Sequence, residues 1–125
     1  PAALAAAPPG GTSTRWQPWS EPQVAALTAS GQPVFVDFTA AWCVTCQVNK
    51  KTTLSNSGVL ADFDSRRVAL LRADWTRRDP AITAALAALG RNGVPVYVLY
   101  RPGQTPLVMT EILTPGEVRA ALATL

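Results

Sequence analysis

The sequence contains no histidine, only two cysteines and a single methionine. Without histidine, Ser–His–Asp triads, histidine-ligated metal centres and imidazole acid–base chemistry are all excluded. Charged residues make up only 15% of the chain and hydrophobic residues 48%, a balance that excludes an intrinsically disordered protein. Any catalysis by this chain must therefore use side chains other than histidine.

Long hydrophobic runs are also lacking. Outside the Ala/Pro-rich first residues, the longest apolar run covers residues 94–100 and has Pro95 inside it, whereas a membrane-spanning helix needs about 20 residues. No charged segment followed by an apolar segment marks a targeting signal. We therefore expect no membrane helix within these 125 residues. This length is typical of one domain. The start at Pro1 suggests a processed protein or an excised domain.

The net charge is only +3 and the basic residues are dispersed. The pairs 66–67 and 77–78 are both Arg-Arg, but they are far apart and no aromatic residues are interleaved with them as in a stacking surface. This pattern favours a solvated surface. We predict no nucleic-acid partner and a monomer for the isolated domain.

The chain divides into a short tether and one folded domain. Residues 1–15 are rich in Ala, Pro and Gly and offer almost nothing to bury, so we predict a flexible tether. Folding should begin at Trp16 and continue to residue 125. We expect that another segment preceded such a tether, and a merely frayed terminus stays open as the alternative.

Hydrophobic periodicity, capping residues and turn residues predict the secondary structure of the domain. Helices are expected at residues 20–31, 43–62, 79–90 and 114–125, with Leu125 facing inward, and strands at residues 34–39, 68–73, 96–100 and 107–113. Strand–helix–strand units require parallel pairing, and the final hairpin adds antiparallel strands. The predicted fold class is α/β, with a mixed four-stranded sheet and helices on both faces.

Cys43 and Cys46 are spaced as CxxC at the point where a predicted central strand passes into a helix. At a helix start, free backbone N–H groups and the helix dipole stabilise a thiolate, which is the attacking species in disulfide exchange. This context favours a redox pair. A structural disulfide and half of a metal site stay open as alternatives, although zinc usually needs four protein ligands and no other Cys or His is present.

Residues 36–46, with the sequence VDFTAAWCVTC, resemble the active-site segment of the thioredoxin superfamily. Residues 93–95, Gly-Val-Pro, are similar to the cis-proline loop of that superfamily. Within it, residues 49–51, 74–76 and 93–100 are most similar to the C-terminal periplasmic domains of the DsbD family of thiol:disulfide interchange proteins. The resemblance covers roughly residues 20–125 and implies a thioredoxin-like fold.

The residues between the cysteines distinguish the chain from two better-known groups of the superfamily. Thioredoxins usually carry Gly-Pro there and strong oxidants of the DsbA kind carry Pro-His, whereas this chain has Val44 and Thr45.

The resemblance implies catalytic roles for three residues. Cys43 attacks or is attacked, Cys46 resolves the mixed disulfide, and Asp37 exchanges a proton with the resolving thiol. An unpaired Asp37 inside an apolar strand should be costly and should stay protonated. The family often has a second carboxylate at the position of Lys50, whose side chain we expect to point to solvent.

The same resemblance implies a substrate-docking surface beside the cysteine pair. We expect a cis peptide bond between Val94 and Pro95, which turns the backbone of Val94 towards an extended substrate segment. Trp42, Val44 and Thr45 should contribute further contacts. No metal and no cofactor are expected beyond the redox-active disulfide of the two cysteines.

In the DsbD-like interpretation, the chain is a protein-disulfide reductase and forms a periplasmic domain of a bacterial inner-membrane protein. Its partners are a preceding membrane electron-transfer domain, an N-terminal periplasmic domain, and disulfide-bearing proteins. Two alternatives stay open: a stand-alone, membrane-tethered thioredoxin-like reductase, as in cytochrome c maturation, and a non-enzymatic CxxC module that binds metal.

Overall fold

The computed structural model describes residues 15–125. The predicted tether lies outside the described residues, apart from Arg15, whose guanidinium pairs with Asp64 at 2.7 Å. The elements in chain order are β1 (Trp16–Pro18), α1 (Glu21–Ala29), β2 (Val34–Thr39), α2 (Val44–Thr52), α3 (Ser57–Ser65), β3 (Ala69–Asp74), α4 (Pro80–Ala88), β4 (Val96–Tyr100), β5 (Leu107–Val108) and α5 (Pro115–Leu122).

The strands form one mixed sheet in the order β1-β3-β2-β4-β5. β3 pairs in parallel with both β1 and β2, β4 is antiparallel to β2, and β5 is antiparallel to β4. The predicted α/β class and the mixed sheet are confirmed. The predicted number of four strands is wrong, because β1 adds a fifth. It has only three residues and includes Pro18, which an edge strand tolerates but which weakens any sequence signal.

β2 is the centre of the fold, since all six of its residues are buried. Residues on alternate sides of a strand face opposite directions, and here they enter two separate cores. Val34, Val36 and Phe38 pack on the side of α1 and α4. Phe35 packs on the other side, with residues of α3 and α5. Helices therefore cover both faces of the sheet, as predicted.

The helix predicted over residues 43–62 is two helices, α2 and α3, separated by a turn. The Asn56 side chain accepts a hydrogen bond from the Val59 N–H at 3.0 Å and so begins a new helix. Thr53 turns inward and its hydroxyl donates to the Leu113 carbonyl at 2.7 Å. A cap and a buried hydroxyl therefore replace one turn of continuous helix.

The strand predicted over residues 107–113 is confined to β5. Beyond it, Thr110 N–H donates to the Glu117 carboxylate at 2.8 Å, and the Glu111 carbonyl accepts from Asn49 at 2.8 Å. Side chains from α5 and α2 thus take the backbone groups that a longer ladder would have used. Leu125, expected to face inward, is 37% exposed because α5 ends at Leu122.

Three predicted helix starts are confirmed. The side chains of Ser20, Asp79 and Thr114 each accept a hydrogen bond from the backbone N–H two or three residues later. Gly31 and Gly90, just past α1 and α4, have φ angles of 89° and 75°, which suit glycine. Across residues 15–125, none of the helices is long and apolar enough to cross a membrane.

Candidate active site

The cysteine pair lies where β2 ends and α2 begins. Cys43 is the N-cap residue of α2 and Cys46 lies in its first turn. The two residues form a disulfide, with their Cα atoms 5.2 Å apart. Sγ of Cys43 also accepts a hydrogen bond from the Cys46 backbone N–H at 3.1 Å. A free backbone donor at a helix N-terminus thus points at the sulfur that would carry charge in the reduced state.

The two sulfur atoms differ in their surroundings. Cys43 is 8% exposed, whereas Cys46 is fully buried. Both pack with Ala40 in a small apolar cluster, which Val94 covers from the opposite loop. Cys43 is therefore the more accessible of the two residues, although only slightly exposed.

The loop opposite the cysteines contains the predicted cis peptide bond between Val94 and Pro95. Val94 is partly exposed and Pro95 is buried just before β4. Because Val94 packs against the cysteine cluster, its backbone borders the surface around Cys43. Val44 is 76% exposed on the same helix turn, and Thr45 is partly exposed. The structure thus brings Val94, Pro95 and Val44 together near the cysteines.

Trp42 lies at the surface beside Cys43 and is 48% exposed. Its indole N–H donates to the Thr76 carbonyl at 3.0 Å, and its ring contacts Trp75 with a centroid distance of 6.0 Å. Trp75 is buried and its indole N–H donates to the Thr83 hydroxyl at 2.8 Å. The exposed face of Trp42 is therefore held in place next to the cysteine pair.

Asp37 is fully buried in β2. The sequence suggested an unpaired carboxyl, but the side chain has a partner. Its Oδ2 accepts a hydrogen bond from Arg72 Nε at 2.9 Å. The two residues are direct neighbours in the parallel pairing of β2 with β3, which places their side chains on the same face. No described residue donates a hydrogen bond to the other oxygen, Oδ1.

The electrostatics of Asp37 result from two opposing effects. Burial raises the pKa of this carboxyl because the charged form loses its hydration, while Arg72 and Lys50 act to lower it. Burial has the larger effect, so the pKa stays above its ordinary value. The neighbouring Tyr97 hydroxyl has its own pKa raised, first by burial and then by Asp37. Asp37 is thus a buried carboxyl that can hold a proton.

We expected the Lys50 side chain to point to solvent, and this expectation is wrong. Its Nζ donates to the Thr39 hydroxyl at 2.9 Å, at the end of β2. Burial lowers the pKa of the Lys50 ammonium, and the nearby carboxylates of Asp37 and Asp74 partly oppose this effect. Thr39, Lys50, Arg72 and Asp74 line a cleft of about 200 Å³ together with Ala40, Ala41 and Gln47. The Lys50 ammonium therefore has a hydrogen-bond acceptor in this cleft, and the residue stays partly exposed.

Two residues at the site were missed by sequence reasoning. Arg72 lies in the predicted strand at residues 68–73, and an arginine inside an apolar strand is the sequence signal of a buried partner. Asn49 is buried in α2, where its amide donates to the Tyr97 hydroxyl at 2.9 Å. No local sequence signal distinguishes it from an exposed helical asparagine.

Among residues 15–125, no cluster of three or more His, Cys, Asp or Glu side chains could hold a metal ion.

The topology and the site together define a class of protein. A mixed sheet with helices on both faces carries a CxxC pair at the start of the helix after its central strand, opposite a cis-proline loop. This arrangement is a thioredoxin fold with a disulfide at its active-site position. The chain belongs to the thioredoxin-like family, whose family model matches residues 15–102.

Two curated relatives are thiol:disulfide interchange proteins. The chain is 30% identical over 118 residues to thiol:disulfide interchange protein DsbD 1 of Pseudomonas aeruginosa, an alignment that covers 90% of this chain and 19% of that protein. It is 37% identical over 83 residues to DsbD of Escherichia coli K12, covering 64% of this chain and 14% of that protein. The chain therefore spans less than a fifth of the length of these relatives.

Solved structures give the same fold. The oxidised C-terminal domain of DsbD from Neisseria meningitidis superposes with a TM-score of 0.67 at 20% identity, covering 84% of this chain and 97% of that one. A thioredoxin from Thermus thermophilus gives 0.67 at 23% identity, covering 88% and 85%. The recognition of a DsbD-like thioredoxin domain from the sequence is confirmed.

Proposed function

We propose that this chain is the thiol:disulfide oxidoreductase domain of a DsbD-like protein and works in the reductase direction. The observation that carries the proposal is the pair of cysteines at the N-terminus of α2, of which Cys43 keeps a small exposed fraction and Cys46 keeps none. The names of the two curated relatives support it, since both are thiol:disulfide interchange proteins.

The first step uses the dithiol form of the chain. The thiolate of Cys43 attacks one sulfur of a substrate disulfide, so that a mixed disulfide forms and one substrate thiolate leaves. The Cys46 backbone N–H, 3.1 Å from Sγ of Cys43, and the N-terminal dipole of α2 stabilise the attacking thiolate.

The second step releases the substrate. The sulfur of Cys46 attacks Sγ of Cys43, forms the intramolecular disulfide and expels the second substrate thiolate. Asp37, beneath α2, accepts the proton of Cys46 during this attack and returns it when the pair is reduced again. In total, two electrons pass to the substrate and its two sulfurs become thiols.

We further propose that the substrate segment lies across the loop at Val94 and Pro95. Val94 borders the cysteine cluster and is a partly exposed residue, so an extended segment could pair with its backbone there. The exposed side chains of Trp42 and Val44 flank this position, with Thr45 beside them. The contacts are therefore made by backbone and apolar surface, which accept substrates of varied sequence.

The relatives suggest the source and the destination of the electrons. By analogy with DsbD, a membrane electron-transfer domain would reduce this domain in the periplasm, and an N-terminal periplasmic domain would receive the electrons for disulfide-bearing proteins. The direction would be set by the partners, because a difference of about 30 mV in a two-electron couple amounts to only about 1.4 kcal/mol.

A trapping experiment tests the proposal. Reduced Cys46→Ser protein, mixed with a peptide that contains one disulfide, should accumulate a mixed disulfide through Cys43 because no resolving thiol remains. The matched Cys43→Ser variant should trap little, since Cys46 is buried. Non-reducing mass spectrometry measures both adducts. Equal trapping by the two variants, or none by either, would contradict the proposal.

A further inference from the structure

An arginine lies over the two tryptophans beside the cysteine pair. The guanidinium carbon of Arg78 is 4.9 Å from the ring centroid of Trp42 and 5.0 Å from that of Trp75. Trp42 directly precedes Cys43 and is half exposed, so the cation is next to the surface at which a substrate disulfide would arrive. Cation–π contact of this kind holds a guanidinium in place while leaving its N–H donors accessible.

The turn between β3 and α4, residues 75–79, is fixed to the active-site turn by hydrogen bonds. The Ala41 N–H donates to the Thr76 hydroxyl at 2.8 Å, and the indole of Trp42 donates to the Thr76 carbonyl. Arg78 itself has a φ angle of 53°, a left-handed conformation that is uncommon for a residue with a side chain. The backbone thus adopts an unfavourable conformation where the arginine side chain lies on the two rings.

The acidic and basic side chains of this turn differ in their hydrogen bonding. Asp74 accepts hydrogen bonds from Thr76, and Asp79 accepts from the N–H groups that begin α4. In contrast, no residue in the range 15–125 forms a side-chain hydrogen bond or ion pair with Arg77 or Arg78, and both are exposed. The carboxylates are used inside the fold, while the guanidinium groups remain available for an external anion.

We propose that Arg78, stacked on Trp42, binds a carboxylate of an acidic protein segment that flanks the partner's disulfide, with Arg77 adding to the positive field. A planar guanidinium can accept a carboxylate at its edge while its face stays on an aromatic ring. This inference rests on the proposed function and adds a preference for substrates with acidic residues beside the reactive cysteine. An Arg78 contact would orient the substrate without taking part in thiol exchange.

The test uses the full 125-residue chain in its dithiol form and three synthetic peptides of equal length. Each peptide is closed by a single disulfide and carries Asp, Asn or Lys beside its cysteines. Single-turnover rates of reduction are measured at low salt and at 1 M salt. The reported quantity is the ratio of the Asp-peptide rate to the Asn-peptide rate, because this ratio cancels any change common to both.

Arg67→Gln is a matched control for Arg78→Gln. Both arginines are exposed and have left-handed backbones, with φ angles of 55° and 53°. Arg67 precedes β3 and Cys43 follows β2; because these strands are parallel, the two lie at opposite ends of the sheet. The two substitutions remove the same charge from equivalent backbone conformations, but only one of them is beside the cysteines.

The unmodified chain should reduce the Asp peptide about two- to fivefold faster than the Asn peptide, as expected for an exposed ion pair. Arg78→Gln should bring this ratio close to one, Arg67→Gln should keep it, and 1 M salt, with a Debye length of about 3 Å, should abolish it. Equal ratios in the two variants, or one rate for all three peptides, would overturn the inference alone. If no peptide is reduced, the proposed function is overturned, and this inference with it.

Discussion

Asp37 lies beneath α2 with one carboxylate oxygen bonded to Arg72 and the other without a donor among the described residues. A fully satisfied ion pair would keep the group ionised, whereas an isolated buried carboxyl would keep its proton. The arrangement lies between these limits, since burial raises the pKa and Arg72 partly offsets the rise. A carboxyl balanced in this way is suited to accept and return a proton.

Replacing Arg72 by methionine should destabilise the fold by about 1–3 kcal/mol at pH 8, because it leaves a buried carboxyl without its partner. Between its ordinary pKa and its raised folded pKa, Asp37 binds more protons in the folded state, so its contribution to stability falls as the pH rises. Removing Arg72 raises the folded pKa further. The loss should therefore be larger at pH 8 than at pH 5, as measured by urea unfolding.

Two further variants make this prediction specific. Arg119→Met breaks the same kind of bond, from arginine Nε to Asp62 at 2.8 Å, but at the surface, and should have a much smaller effect. The double substitution Asp37→Asn with Arg72→Met should recover most of the stability at pH 8, since no buried charge remains. An equal loss for Arg72→Met at both pH values would show that Asp37 is not the cause.

Most of the candidate site could be predicted from short sequence patterns. CxxC after an apolar strand, an acid within that strand and Gly-Val-Pro before a later strand are local patterns, and they pointed to Asp37, Cys43, Cys46 and Pro95. The pairing of Asp37 with Arg72 could not be predicted in the same way, since it depends on the register between two strands 35 residues apart. The orientation of the Lys50 side chain could not be predicted either, because it depends on a hydrogen bond to the Thr39 hydroxyl.

At the scale of the elements, α2 carries the cysteine pair at one end and is anchored through Asn49 near the other. The Asn49 amide donates to the Tyr97 hydroxyl and to the Glu111 carbonyl, at 2.9 and 2.8 Å. These bonds connect α2 to β4 and to the loop before α5. Since Asn49 is only three residues beyond Cys46, the anchor also fixes the helix turn that holds Cys46.

Asn49→Ala should lower the free energy of unfolding by about 1–3 kcal/mol, because the buried hydroxyl of Tyr97 and the Glu111 carbonyl each lose a donor. Thermal unfolding followed by circular dichroism measures the loss. Gln104→Ala is the control, since it removes a carboxamide from an exposed hairpin turn. Matching midpoints for the two variants would mean that the Asn49 bonds contribute nothing to the fold.

The elements also show where sequence patterns stop being informative. Caps at Ser20, Asp79 and Thr114 were readable because each cap bonds within its own first turn. The break between α2 and α3 was not predicted, although Asn56 is a good cap and residues 52–58 contain one strongly apolar residue, Leu54. The break is stabilised by Thr53 bonding to Leu113, a residue 60 positions later, which local periodicity cannot show.

At the scale of the whole molecule, the sheet order brings three distant segments to one end of the fold. The carboxyl ends of β2 and β3 lead into the cysteine pair and the Trp75–Arg78 turn, and the loop before the antiparallel β4 supplies Val94 and Pro95. The sequence predicted the parallel pair through its strand–helix–strand pattern and the antiparallel hairpin at the end of the sheet, but not the order of the strands. The edge strand β1, which pairs with β3, was not predicted.

The central claim is that the Cys43–Cys46 disulfide is redox-active and belongs to a reductase. The direct measurement is a redox titration of the full chain in glutathione and dithiothreitol buffers, with free thiols counted by mass-tagging. Both thiols should appear together in one two-electron transition. Its midpoint should lie in the reducing half of the roughly −270 to −120 mV span of CxxC oxidoreductases. A midpoint below about −300 mV would indicate a structural disulfide, and one near −120 mV an oxidant; either result would contradict the account.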